Sequence, residues 1–381
     1  MLPDVLNPTP LAAEVLPLLP PSRDKLTLIV KGTFDVLPDG RTRLAKAQMP
    51  LCGDEYEGPD GDPELVRYES DLVPFKPRTD LLCVGRAHAP GGQPVSSLAV
   101  RFGLADRPKE IRVFGERRLR MIGPTPEIGP PEPFTTMALS YCRAFGGSDP
   151  EDSGGTSLCP TNPHGRGFAR KAGAQQGGLM PNLEDPRRPL HNLAEPALPA
   201  GFGPLGRTWQ PRLALAGTYD ERWQNQRAPE LPEDFDYGYF NGAPPDQQID
   251  GYLRGNETLW AENLHPELPR LSVRLPGVRI RGFFEASDDL ADDKVVEGLR
   301  ELRLRLDTAW LDMEALRLVL VWRVGLYATH VAEEGVLLIG AERITDEAKP
   351  VAAYAAQLAD LRAEEASIDA EFDEAERLLA D

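Results

Sequence analysis

Histidine and cysteine are scarce: five histidines and four cysteines stand among 381 residues. No two of Cys52, Cys83, Cys142 and Cys159 are spaced as CxxC, so zinc-ribbon and dithiol readings lack support. Reduced, mostly buried thiols are the expectation. His88, His164, His191, His265 and His330 form no HExxH-like arrangement. There is no GxSxG elbow, no Walker A loop and no strand-linked GxGxxG. The expectation is therefore no metal, no cofactor, no catalytic residue and no enzyme activity.

Long apolar runs are also missing. The best, LRLVLVWRVGLY, is broken by Arg317 and Arg323 and falls short of the ~18 residues a membrane helix needs. The opening MLPDVLNPTP has no basic region and carries Asp4, so a secretory signal is not expected. Positive charge is in deficit, with 42 Lys and Arg against 60 Asp and Glu, net −18. That sign opposes binding to nucleic acid phosphates and to anionic membranes. A cytoplasmic protein is expected, and a basic or apolar protein partner fits its charge.

Glycine and proline are abundant, at 35 and 38 residues, against about 46 together for average usage. They are spread along the chain and imply many turns rather than long helices. Between them lie strand patterns. In residues 26–36, Leu26, Leu28, Val30, Phe34 and Val36 share one face, with Thr27, Lys31, Thr33 and Asp35 on the other. A hairpin is predicted in 97–120, with its turn at 105–108, and 137–145 is the clearest strand of the middle region. Late alternation at Leu271, Val273 and Leu275, then Val278 and Ile280, predicts further strands. Leu302, Leu304 and Leu306 are expected to pair with Leu316, Leu318, Leu320 and Trp322. The predicted fold is mainly β, with sandwich-like antiparallel sheets and long packed loops, in one domain spanning 12–345. Early and late strands should share a sheet system.

The last segment differs. Residues 346–381 hold no glycine, and apolar positions recur at helical spacing through Val351, Tyr354, Leu358, Leu361, Ile368, Phe372, Ala375 and Leu379. Thr345 suits a helix cap, and Asp346 and Glu347 suit a first turn. An acidic helix over 346–381 is predicted, with eleven acids against three bases, so that it carries −8 of the −18. Val351, Tyr354, Leu358 and Leu361 should pack back on the β domain. Self-docking or a basic cargo is favoured over a homodimer, since two such tails repel.

Acidic loops such as GGSDPED at 146–152 and PEDFD at 232–236 invite calcium or paired-carboxylate readings. The first lacks the ligand alternation and distal Glu of an EF-hand. With 60 acids, adjacent carboxylates arise by chance, and solvated turns are the simpler reading.

Three groups of phrases point further. YESDLVPFKPRTD at 68–80 continues to VGRAHAPGG at 84–92. AFGG at 144–147 precedes NPHGRG at 162–167 and LMPN at 179–182. GTYDERW at 217–223 precedes LPEDFD at 231–236 and APPDQ at 243–247. In this order, over about 26–323, they resemble the bacterial family known as domain of unknown function (DUF) 2169, whose members are associated with type VI secretion loci. The resemblance implies an adaptor that holds a protein effector, one with a PAAR-type tip domain or an apolar N-terminal segment, and helps load it onto the VgrG spike. It implies no catalytic residue. Some relatives carry pentapeptide repeats after this domain, where this chain has its acidic segment.

The side chains expected to meet a partner are Lys76, Arg78, Asp80, Arg166, Asp220, Arg222, Trp223, Asp246 and Gln247, with Ile368, Phe372 and Leu379 on the tail. Trp and Arg are enriched at interface hot spots, and Lys76, Arg78 and Asp80 can also pin a loop by charge-assisted bonds. Two other functions compete: a structural part of a contractile or phage-like particle, and a glycan or peptidoglycan hydrolase suggested only by abundant carboxylates.

Overall fold

A computed structural model describes residues 2–18, 24–57, 65–152, 154, 156–171, 176–190, 197–290 and 293–364. The strand Lys25–Val36 is its spine. Its β-branched residues Thr27, Ile29, Val30 and Thr33 favour extended backbone. It pairs antiparallel with Arg317–Tyr327, from Asp35 opposite Arg317 to Lys25 opposite Tyr327. That pairing joins segments nearly 300 residues apart. The central sheet continues on one side through Ala12–Leu16 and on the other through Arg305–Asp312, Thr79–Val84 and Gln248–Ile249. Thr79–Val84 runs parallel to Arg305–Asp312, one of a few parallel pairs in a mainly antiparallel fold.

A second sheet has the order Leu183–Glu184, Arg107–Phe114, Ser97–Leu104, Thr258–Glu262, Arg270–Arg274. A third has Val5–Leu6, Leu337–Arg343, Val278–Glu285, Leu299–Arg303, Val295–Val296. All three feed one hydrophobic cluster, which includes Leu28, Val30 and Phe34, then Val100, Phe102 and Val273, then Ile280 and Ile339. The middle loops pack into it. Phe202 meets Phe102 at 5.8 Å between ring centroids, and Trp209 meets Tyr141 at 5.5 Å.

Several sequence expectations need correction. Most of the polar face of the first strand is buried: Thr27, Lys31 and Thr33 lie inside, and Asp35 is half-buried. Residues 137–145 do not make one strand. Thr136–Ala138 ends early because the Ser140 side chain accepts from Cys142 N and caps a 3-10 turn, Tyr141–Arg143. Residues 302–306 divide between sheets: Leu302 lies opposite Gly282 in the third, whereas Leu306 lies opposite Trp322 in the central one. The terminal helix begins at 351 rather than 346 and is described to 364. Pro350 disfavours helical backbone in the residue before it, and Thr345 bonds Asp346 at 3.2 Å instead of capping. Ile368, Phe372 and Leu379 lie outside the described residues.

Residues 351–364 dock on the third sheet. Tyr354 and Leu358 are buried against Phe283, Leu299 and Leu338, with Val351 and Leu361 beside them. The Tyr354 ring stacks on Phe283 at 4.2 Å. Gly340 makes the space, since a Cβ there would overlap the tyrosine ring. Glu342 clamps the helix start. It accepts from Tyr354 Oη at 2.7 Å, Arg279 at 2.6 Å, Arg281 at 3.0 Å and Lys349 N at 3.1 Å.

Burial pushes the Glu342 carboxyl up, but these hydrogen bonds outweigh it and bring its pKa down to about 2. A carboxyl depressed on folding stabilises fully above its unfolded value, and that stability is lost as pH falls through the folded one. Between pH 4.5 and 2 the urea midpoint should therefore fall more steeply for the native chain than for Glu342→Gln. Equal slopes would remove Glu342 from the acid response. Tyr354→Ala should cost about 3 kcal/mol in the same assay at neutral pH.

Candidate functional site

Lys31 sits mid-strand among Leu28, Ile29 and Val30, fully buried, and a charge there needs a partner. Its ammonium meets Asp71 at 2.8 Å and the Pro50 carbonyl at 2.9 Å. Asp71 also accepts from Tyr68 Oη at 2.6 Å and Cys52 N at 3.1 Å. Arg323, on the neighbouring strand, donates to the Asp71 carbonyl at 2.9 Å and to the Asp307 carboxylate. A bulge between Leu306 and Thr308 interrupts the register at Asp307, and Asp307 and Thr308 both serve the network. Thr308 Oγ1 donates to Asp307 and accepts from Lys76. Lys76 pairs with Asp80 at 2.8 Å and lies 3.7 Å from Glu69. Glu69 takes Arg212 at 2.5 Å.

The result is four cations, Lys31, Lys76, Arg212 and Arg323, against four carboxylates, Glu69, Asp71, Asp80 and Asp307, all buried. Burial pushes the Asp307 carboxyl up, against Arg323 and Lys76. For Lys76, burial lowers the pKa but Asp80 and Glu69 outweigh it, and the net shift is upward. Asp80 also accepts from Asn241 Nδ2, Gly242 N and Ala243 N at 2.9–3.2 Å. Gly242 is required for this approach, because a Cβ there would overlap Glu69 Oε2.

Residues fixed by the network lead straight to a surface groove. Arg212 holds the Leu205 carbonyl at 2.5 Å, and Asp80 holds Gly242 and Ala243 just before Pro244. Leu205, Pro244, Pro245 and Asp246 line a groove of about 680 Å³ with Leu198, Pro199, Ala200 and Pro211. Its rim is charged. Lys109 bonds Asp246 at 2.9 Å and the Gly201 carbonyl at 3.0 Å, and Arg187 bonds Asp246 and Asp185, each at 2.9 Å. Burial pulls the Lys109 pKa down, opposed by Asp246. An apolar floor with a few oriented polar groups suits binding of an apolar segment.

The expected partner-binding residues are dispersed. Lys76, Asp80 and Gln247 lie inside the protein. Asp246 is on the groove rim. Arg78 is half exposed and bonds Asp250 at 2.7 Å and Gln248 at 3.2 Å. Arg166 joins Glu116 and Asn182, each at 3.1 Å, tying together the second group of phrases. Asp220 caps a short helix, Glu221–Gln226, through Trp223 N at 2.8 Å. Arg222 is exposed on that helix, and Trp223 packs edge-on against exposed Tyr219 at 4.6 Å.

Sequence reasoning missed Lys31, Glu69, Asp71, Arg212, Asp307 and Arg323 as a set. The available signal was a charge interrupting an apolar strand, visible at Lys31 and again at Arg323. Removing one member of a buried pair strands the other, at a cost of about 3–5 kcal/mol. Lys31→Met should destabilise by that order in urea unfolding. The double variant with Asp71→Leu should be less destabilised than the sum of the singles; simple additivity would show that the two charges do not depend on each other.

Against known proteins, no curated entry and no solved structure matches the chain. One family pattern does, described as "Uncharacterized protein conserved in bacteria (DUF2169)", over residues 22–323. That span contains Lys31, Asp71, Asp80, Asp307, Arg323 and every residue of the groove, and the chain accordingly belongs to the DUF2169 family of bacterial proteins.

Proposed function

We propose that this protein is an adaptor that binds a protein effector and helps load it onto the VgrG spike of a type VI secretion machine. The observation that carries the binding role is the groove, with its floor of proline, leucine and alanine and its rim of Lys109, Arg187, Asp185 and Asp246. Its occupant in this reading is an extended apolar segment of the effector, such as one at an effector N-terminus. The secretion context rests on the resemblance in sequence. A binding rather than catalytic role also accords with how the shifted carboxyls are used: Asp307 is taken by Arg323, and Glu342 by Arg279 and Arg281.

Deleting the gene should lower the level or secretion of one effector encoded beside it and leave the sheath assembling normally. Leu198 is 54% exposed on the groove wall, so Leu198→Asp should leave the fold intact. It should weaken capture of that effector by roughly tenfold or more, the scale of an interface hot spot. Undiminished capture would move the binding surface elsewhere. Loss of every type VI substrate in the deletion strain would mark a core component of the machine instead.

A further inference from the structure

A second concavity, of about 700 Å³, opens where the strand Leu299–Arg303 passes into Arg305–Asp312. Its inner wall is neutralised. Lys76 is held by Asp80 and Glu69, and Arg323 by Asp307. Glu301 is taken by Arg281 at 2.8 Å. The mouth is positive. Arg303 and Arg305 are exposed there, and Arg254 is exposed in the adjoining groove. Among the described residues, none of these three guanidiniums has a carboxylate within ion-pair distance. Arg305 instead lies 5.0 Å from the centroid of the Tyr252 ring. Lys294 and Arg300 add two further cations to the lining. On a chain of net charge −18, this is a local reversal of sign.

The terminal helix starts at this cleft, because Val351 lines it. It then follows the strand Leu299–Arg303 to Arg362, which bonds Glu285 at 2.6 and 2.7 Å. Glu285 lies opposite Leu299, so residue 364 comes at the other end of that same strand. Residues 365–381 follow, outside the described residues, with seven acids and one base. The described helix is roughly 20 Å long at 1.5 Å per residue, and seventeen extended residues reach up to about 56 Å. The segment is thus long enough to return to the arginines. Exposed ion pairs are individually weak, but tethering supplies an effective concentration of about millimolar, so several can form together.

We propose that the cleft is a binding site for a carboxylate-rich peptide, and that its occupant is the chain's own segment 365–381, docked within the same molecule. The proposal does not depend on the adaptor reading or on the proline-lined groove.

Zero-length carbodiimide cross-linking tests it on the full chain. Arg303→Lys and Arg305→Lys keep the charge and supply amines on the surface. Equal amounts of 15N-labelled and unlabelled protein are mixed, treated and read by mass spectrometry. Links should run from the introduced amines to carboxylates of 365–381 within one copy. Their yield should fall about fivefold or more in 1 M salt, where the screening length is about 3 Å, and likewise when Arg254→Glu is added. Lys294 in the unsubstituted chain gives the same readout without any change to the fold. The proposal is overturned by an absence of links to this segment, by links mainly between differently labelled copies, or by yields indifferent to both salt and Arg254→Glu.

Discussion

Eight buried charges behind one face of the central sheet must cancel, and much of the remaining structure follows from how they do so. Lys31 and Arg323 project from adjacent strands into a region with almost no solvent. Their carboxylate partners come from the 68–80 loop and from the bulge at Asp307. Stranding any one of the eight costs several kcal/mol, so the loops that supply the partners cannot drift independently. This explains how a chain with so much irregular backbone holds one arrangement. The irregular segments are fastened at their charged residues, while the sheets supply the apolar cohesion.

The same fastening carries outward to the surface. Arg212 reaches Glu69 with one side of its guanidinium and the Leu205 and Tyr239 carbonyls with the rest. Asp80 collects three donors from 241–243. Leu205 and Pro244 are therefore walls of the groove whose positions are set from inside. The family phrases read at first as partner contacts divide by depth. Lys76 and Asp80 set the scaffold, whereas Asp246, a few residues beyond the buried end of 241–243, faces the rim.

Strand content was legible because alternation is a local signal: 26–36, 97–104 and 271–275 need only their own residues to be read. What alternation does not report is whether the polar face meets water or a second layer. Lys31 and Thr33 lie under the segments that carry Met49 to Cys52 and Asp71, and that layer is assembled from residues about 16 to 40 positions away. The split at Leu304, which sends Leu302 and Leu306 to different sheets, is a tertiary choice with no local mark. The start of the terminal helix was legible in principle, since Pro350 stands immediately before it. Of the groove, only Pro244, Pro245 and Asp246 fell in one of the family phrases, because its other residues come from separate stretches between 109 and 211.

The pairing of Lys25–Val36 with Arg317–Tyr327 also has a consequence in time. During synthesis the first strand leaves the ribosome nearly 300 residues ahead of the strand that completes it. At about 5–20 residues per second, the interval is roughly 15 to 60 s. For that time a twelve-residue segment rich in Leu, Ile and Val has one of its two central-sheet neighbours missing and Lys31 has neither Asp307 nor Arg323 behind it. Contacts this distant in sequence form late and slowly, and an unpaired strand edge is a template for the wrong neighbour. A nascent chain of this design carries that strand with one edge open for most of its synthesis.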